Sequence, residues 1–448
     1  MLRDLFKTLT CIFLITGLKV YGQEIQLTYD PYDHFCPRFS PDGEWILYFR
    51  VIDSGDTLIY KIPASGGHEF KLTDNSSSSF NPDWSYDGEL ICFEKKDGDG
   101  YRQIYRMRKD STFKQQLTFL PFDHFMPHFS PDGKWIVYYR PVEGIGYQIF
   151  KISSEGGEEI HLADFEHSCN APIWSPGGEW IVYQERDSVL SSKTGVWRLY
   201  KIPSEGGEEI RLTTSAALHE GPDFSPDGDR IVYEYRKPII GGFSQIYTIS
   251  SEGGEERPLT SDSSAHENPR WSPDGEWIVY ERRGRPFQQR QIYLIHKSGG
   301  NEICLTTDES SNHYRPDWSP DGKWIAYMRY DEKGHLQIYK IRVDVTETRN
   351  NTSILEPFLL NQNYPNPFNI TTTISYNLPC KITGTIHIFN IQGMEIKTLK
   401  IENQSAGIHE ITWDGKDSQN NNVVSGVYFY RLKLKNGFSQ TRKMILLK

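Results

Sequence analysis

At 448 residues the chain is longer than one ordinary hydrophobic core supports, which leaves two domains or one repeat array. Aromatic residues at 13%, against only 6 methionines, favour a strand-rich protein over a helical one. The net charge of −10 speaks against nucleic acid as a partner.

Residues 1–22 have the layout of a secretory signal. Arg3 and Lys7 form a basic start, Leu9–Leu18 an apolar centre, and Gly22 a small residue before a cleavage point at Gln23. As a membrane anchor the apolar run is too short, and Lys19 interrupts its end, so no span is expected in the mature chain. The mature Cys36, Cys92, Cys169, Cys304 and Cys380 lack paired spacing and match neither a disulfide framework nor a Cys-x-x-Cys metal site. Most are expected as small buried hydrophobes.

From residue 24 a repeat takes over. Ser-Pro-Asp-Gly at Ser40–Gly43 returns at Ser85 (as SYDG), Ser130, Ser175 (as SPGG), Ser225, Ser272 and Ser319, at spacings of 45, 45, 45, 50, 47 and 47. Its residue order suits a type I turn, because proline presets φ near about −65°. Three residues before each serine stands a proline, and directly before it a Phe or Trp. Six residues after it comes an Ile, followed two further on by an aromatic residue, as in Ile46 and Tyr48. Apolar on both faces, this second segment predicts a strand buried from both sides. A third strand follows about 20 residues after the serine, as in Ile59–Ile62, often preceded by Gln (Gln103, Gln148, Gln245, Gln291, Gln337). Gly-Gly turns such as Gly66-Gly67 then lead to a short fourth strand ending in Leu-Thr.

Each repeat is thus four short antiparallel strands, the composition of a propeller blade. The seventh copy loses its Leu-Thr strand, and the missing piece stands ahead of the first copy as Glu24–Thr28. The expected fold is all-β: a seven-bladed propeller over 23–343, closed by its N-terminal strand, which removes the exposed sheet edge. The repeat resembles the WD-like propeller repeat of the TolB family. The resemblance implies a fold shared by periplasmic scaffolds, peptidase propeller domains and some polysaccharide lyases, and does not choose among them.

Two features fall on the face reached by the connections from fourth to first strand and from second to third. A histidine stands six residues before the turn serine in five copies, as His34, His124, His219, His266 and His313, with Ser79 and Cys169 in the others. They are expected either as a ring at the channel mouth, suited to a metal or an anion, or as structural groups bonded within their own blades. The loop between second and third strands varies in length. The fourth copy's insertion around Ser188–Trp197 offers Trp197, expected exposed, and the sixth loop carries Arg282, Arg283, Arg285 and Arg290. No Gly-x-Ser-x-Gly elbow, His-Glu-x-x-His or phosphate-cradling glycine loop is present in the sequence.

Asp344–Glu356 is polar and reads as a linker to a second unit over 357–448. Six strands are expected there, over Thr373–Tyr376, Gly384–Phe389, Glu395–Leu399, Gly407–Trp413, Gly426–Leu434 and Gln440–Leu447, forming a small β-sandwich. Trp413–Asp417 reads as an Asp-Gly turn in preference to a calcium loop. This unit is similar to the type A C-terminal sorting domain of the type IX secretion system, an Ig-like fold also related to FlgD. The matching pieces are the motif Tyr364, Pro365, Asn366, Pro367, Phe368 and Asn369, then IFNIQGMEIKTL, WDGKD, SGVYFYRL and the terminal KMILLK. The resemblance implies recognition by the type IX translocon and a secreted or outer-surface location. The expected function is non-enzymatic binding of a protein or glycan partner without a cofactor; the alternative is a polysaccharide lyase using the histidine ring.

Overall fold

The computed structural model describes residues 24–447 apart from 164–166, 188–195, 238–241, 285–286, 307, 309, 344–358, 379–381, 405–406 and 436–438. The expected signal at 1–22, the linker over 344–356, Cys380, Arg285 and most of the insertion before Trp197 lie outside the described residues. Among the described residues every regular element is a strand. Among these residues no helix is long and apolar enough to cross a membrane.

Up to residue 343 the described chain forms propeller-like repeated sheets of four antiparallel strands, seven in number. In the first sheet His34–Phe39, Trp45–Val51, Thr57–Pro63 and Phe70–Lys71 pair in chain order. The seventh takes its outer strand from the far end of the chain. Ile25–Gln26 pairs antiparallel with Leu336–Arg342, Ile25 opposite Lys340 and Gln26 opposite Tyr339.

The Ser-Pro-Asp-Gly turn joins first to second strand. The Gly43 N–H donates to the Ser40 carbonyl at 2.8 Å, and Ser40 Oγ accepts from the Trp45 N–H at 2.9 Å. Gly43 has φ +73°, the left-handed conformation that glycine tolerates best. The second strand is apolar on both sides because sheets lie against both. Ile46 and Tyr48 pack with Ala326, Met328 and Leu336 of the seventh sheet. Leu47 packs with Trp84, Ile91 and Phe93 of the second.

The fourth strand is shorter than the Leu-Thr pattern suggests, pairing over two residues (Tyr60 opposite Lys71, Lys61 opposite Phe70). The threonine hydroxyl then stands in for a strand carbonyl. Thr73 Oγ1 accepts from the Ile59 N–H at 3.0 Å, and Thr118, Thr213, Thr260, Thr306 and Thr28 do the same for Ile104, Leu199, Ile246, Ile292 and Ile338. The recurring Gln ties down the following connection: Gln103 Nε2 donates to the Leu120 carbonyl at 2.8 Å and Gln291 Nε2 to that of Asp308 at 2.7 Å.

The C-terminal unit has two sheets. One contains Leu359–Leu360, Thr372–Leu378 and Gly407–Trp413; the other contains Glu395–Gln404, Ile382–Phe389, Gly426–Leu434 and Ser439–Leu446. All six expected strands are present, and Leu359–Leu360 is an additional short one. Trp413, Tyr376 and Tyr430 fill the core, with Phe368 of the motif 5.7 Å from the Trp413 ring. Asp414 Oδ1 accepts from Lys397 and from the Lys416 N–H, and Asp417 from the Gln419 and Asn421 N–H groups, so both carboxylates serve local turns.

Candidate functional site

In each repeat sheet the first strand has no partner on its inner side, and first strands of neighbouring sheets pack on one another, as Ser79–Trp84 does on Phe125–Phe129. The first strands therefore line the axis. Each contains a bulge, and each bulge places a residue in left-handed backbone four positions before the turn serine: Cys36 (φ 54°), Asn81, Met126, Ala171, Gly221, Asn268 and Arg315. The bulge turns the residues around it inward, and the structure has two tiers there.

The tier nearer the turns is formed by residues two before the serine. Arg38 lies 3.7 Å from Asp317, His128 3.2 Å from Asp83, and Arg270 3.3 Å from Asp223. Each aspartate is also stitched to the next sheet: the Phe39 N–H donates to Asp317 and the Trp271 N–H to Asp223, at 2.9 and 2.8 Å. Burial raises Asp223 and Asp317 above the ordinary carboxylate range, with Arg38 and Arg270 working against it. Arg38 acts on Asp83, Asp223 and Asp317 alike, so these side chains converge across the axis. This is a neck of neutralised pairs.

The tier nearer the loop face consists of cross-strand pairs between first and second strands. They are Phe35–Phe49, Phe80–Glu94, Phe125–Tyr139 and Tyr314–Met328 in four sheets, and Asn170–Gln184, Glu220–Glu234 and Glu267–Glu281 in the other three. The aromatic side runs on without a break. Phe35 stacks on Phe49 at 5.3 Å, Phe49 meets Phe80 at 6.4 Å, and the Arg102 guanidinium bridges Phe80 (4.3 Å) and Phe125 (5.4 Å). Phe125 stacks on Tyr139 at 5.2 Å, and both touch the exposed Tyr147.

The opposite side sets two pairs of like charges directly across strands, which is unfavourable unless neutralised. Arg290 bonds both Glu267 and Glu281, and Arg236 reaches Glu220 at 3.5 Å. Glu234 is half-buried, and desolvation, with Glu267, Glu220 and Glu281 around it, pushes it up to about 8, despite the Asn268 N–H it accepts at 2.7 Å.

The five histidines do not converge on the mouth. All are fully buried. Nδ1 of His34, His124, His219 and His313 faces the carbonyl of Leu336, Arg102, Trp197 and Arg290, each on the third strand of the preceding sheet, at 2.9–3.2 Å. His266 Nδ1 faces the Ser264 carbonyl at 3.0 Å. Nε2 faces a carboxylate, Glu69 for His34 (3.7 Å), Glu159 for His124 (3.4 Å), Glu256 for His219 (2.9 Å), Glu302 for His266 (3.5 Å) and Glu24 for His313 (3.6 Å). A tyrosine ring of the second strand lies 5.4–5.6 Å from each. Among the described residues two sets, Asp30–His34–Glu69 and Asp262–His266–Glu302, have ligand atoms close enough for one cation, but each holds a single histidine, and Arg50 or Arg282 already bonds its carboxylates.

Trp197, expected exposed, is half-buried and its carbonyl is occupied by His219. Arg282 is held by Asp262 and Glu302 over the Tyr293 ring, while Arg283 is exposed. In the Tyr364–Asn369 stretch Phe368 is buried and Tyr364 is 82% exposed. Sequence reading missed both axial tiers. The signal for the tier nearer the turns was a position two before the serine that is charged or histidine in six of seven copies.

A family model described as the TolB beta propeller domain matches residues 10–188 and 148–288, and one described as the FlgD Ig-like domain matches 369–437. None of the curated proteins matches the chain. Among solved structures, an oligogalacturonate lyase from Vibrio parahaemolyticus is similar with a TM-score of 0.61 and 13% identity, over 72% of this chain and 94% of that one. An oligogalacturonate lyase in complex with manganese has a TM-score of 0.56 and 16% identity, over 73% and 99%. The β-propeller domain of the Trilobed protease from Pyrococcus furiosus has 0.55 and 13%, over 69% and 95%. At these identities the likeness is one of fold.

Proposed function

The chain belongs to the TolB beta propeller domain family, and from that premise we propose that it is an exported, non-catalytic binding protein. In this reading the repeat is a seven-bladed propeller closed by its N-terminal strand, and the ligand sits over the loop-face mouth. One contrast carries it: the residues best suited to acid–base or metal chemistry, the five histidines, are sealed between sheets, whereas aromatic and hydrogen-bonding groups open to the mouth.

The rival reading, a lyase acting through those histidines, draws on the fold shared with oligogalacturonate lyases. The full-length protein incubated with polygalacturonate and alginate is expected to release no unsaturated uronate. Product release that disappears in a His219→Ala/His266→Ala variant which still folds would replace the binding reading with the enzymatic one.

For location we propose Sec export on the signal at 1–22 and onward passage through the type IX translocon on the C-terminal unit. The Ig-like architecture, the FlgD Ig-like match and the exposed Tyr364 support it. A chain ending at Val343 is expected to accumulate in the periplasm of its host. Its appearance at the cell surface would sink the assignment.

A further inference from the structure

On the loop face the third repeat, like the first with Tyr29 and Tyr32, carries aromatic side chains in the connection that leads into its first strand. Its connection into the first strand reads Phe119-Leu120-Pro121-Phe122-Asp123, where the sixth and seventh copies have runs of Ser, Thr and Asp. Phe119 is 72% exposed, and Phe122, Met126, Ile145 and Tyr147 are between 37 and 42% exposed. These are not scattered side chains. Tyr147 meets Phe125 at 5.8 Å and Tyr139 at 5.4 Å, both edge-on, and Arg140 lies 5.8 Å from the Phe122 ring. The exposed platform is thereby continuous with the aromatic half of the mouth.

The other half supplies planar polar groups with little net charge to offer: Glu267 and Glu281 on Arg290, Glu220 near Arg236, and the Asn170–Gln184 pair. A strongly anionic or cationic partner would have to break these pairs, at a desolvation cost. Flat rings for the C–H face of a sugar, with paired donors and acceptors for its hydroxyls on the other half of the mouth, suit a different ligand. We infer that the mouth binds an uncharged oligosaccharide, stacked on Phe125, Tyr139 and Tyr147 and hydrogen-bonded by the Glu–Arg pairs of the fifth and sixth sheets. This rests on the binding reading above and narrows it to a ligand class. Glu234, neutral below its raised value of about 8, adds a carboxylic acid donor where a carboxylate would only accept.

The test is calorimetric titration of the full-length protein with cellohexaose, xylohexaose and mannohexaose, with hexagalacturonate as the acidic counterpart. At least one neutral hexasaccharide is expected to bind, and Tyr147→Ala to weaken it about tenfold or more at an unchanged melting temperature. Tyr86→Ala, an exposed aromatic in the second copy's turn at the opposite end, is expected to leave affinity intact. The inference fails if no neutral sugar binds, if hexagalacturonate binds more tightly, or if Tyr147→Ala binds as the parent does. A surface protein retained by the parent and lost with Tyr147→Ala, without sugar binding, overturns the glycan class and leaves the binding reading standing. Cleavage of a polysaccharide overturns the binding reading itself.

Discussion

Glu256 accepts hydrogen bonds from the N–H groups of Thr214 and Ser215 (3.0 and 2.9 Å), from Ser215 Oγ (2.7 Å) and from Tyr233 Oη (3.1 Å), and faces His219 Nε2 at 2.9 Å. Burial alone would raise its pKa; His219, Ser215 and their hydrogen bonds outweigh it and hold the carboxyl well below the glutamate range. Glu24, Glu69, Glu159 and Glu302 are lowered in the same way, each by its own histidine and an arginine against the effect of burial. A depressed carboxylate stabilises the fold above its unfolded pKa, and that stability is lost as pH falls through the folded value. The contribution of these five carboxylates is therefore expected to be constant near neutrality and to be lost progressively below about pH 4.5, where unfolded glutamates begin to take up protons. Glu256→Gln should lower stability at pH 7 by about 1–3 kcal/mol and flatten the acid decline. Thermal melts of both proteins between pH 7 and pH 3 check this, and parallel curves would count against the role given to Glu256.

At the scale of the element, legibility followed how local the cause was. The turn serine, the two-sided second strand and the alternating strands of the C-terminal unit answer to neighbours a few residues away, and each stands where periodicity put it. The fourth strand was read too long because Leu-Thr looks like more strand; the threonine is there for its hydroxyl, which completes the third strand's hydrogen bonding after the backbone has turned away. The first-strand bulge left no readable signal, since its left-handed position is filled by residues as unlike as Cys36, Met126, Ala171 and Arg315. Such a backbone costs about 1–2 kcal/mol outside glycine, and only tertiary packing repeats it seven times. The histidines show the same limit: a recurrence that suggested a shared site answers a need met blade by blade, in four of the five the capping of a third strand in the sheet before.

Across the whole molecule, the first and last repeats are joined by more than the pairing of Ile25–Gln26. Leu27 is buried in the core between the first and seventh sheets, Thr28 Oγ1 accepts from the Ile338 N–H at 2.9 Å, and Glu24 bonds Arg329 and faces His313. From the other side Asp33 Oδ1 accepts from the Leu336 N–H at 2.7 Å and Gln337 Nε2 donates to the Asp30 and Tyr32 carbonyls. Deleting residues 24–28 would remove a buried leucine, costing about 2–5 kcal/mol, and leave an unpaired buried N–H, costing about 1–3 kcal/mol. Against a native margin of about 5–15 kcal/mol that is a large fraction, and it also bares the Leu336–Arg342 edge for pairing with another chain. The deletion variant is expected to melt at least about 10 °C lower than the parent, given the few degrees that each kcal/mol shifts the midpoint, and to elute partly as dimers or larger species. A monomer with the parent's melting temperature would mean that the N-terminal strand does not close the array, and the seven-bladed ring would have to be given up for an open one.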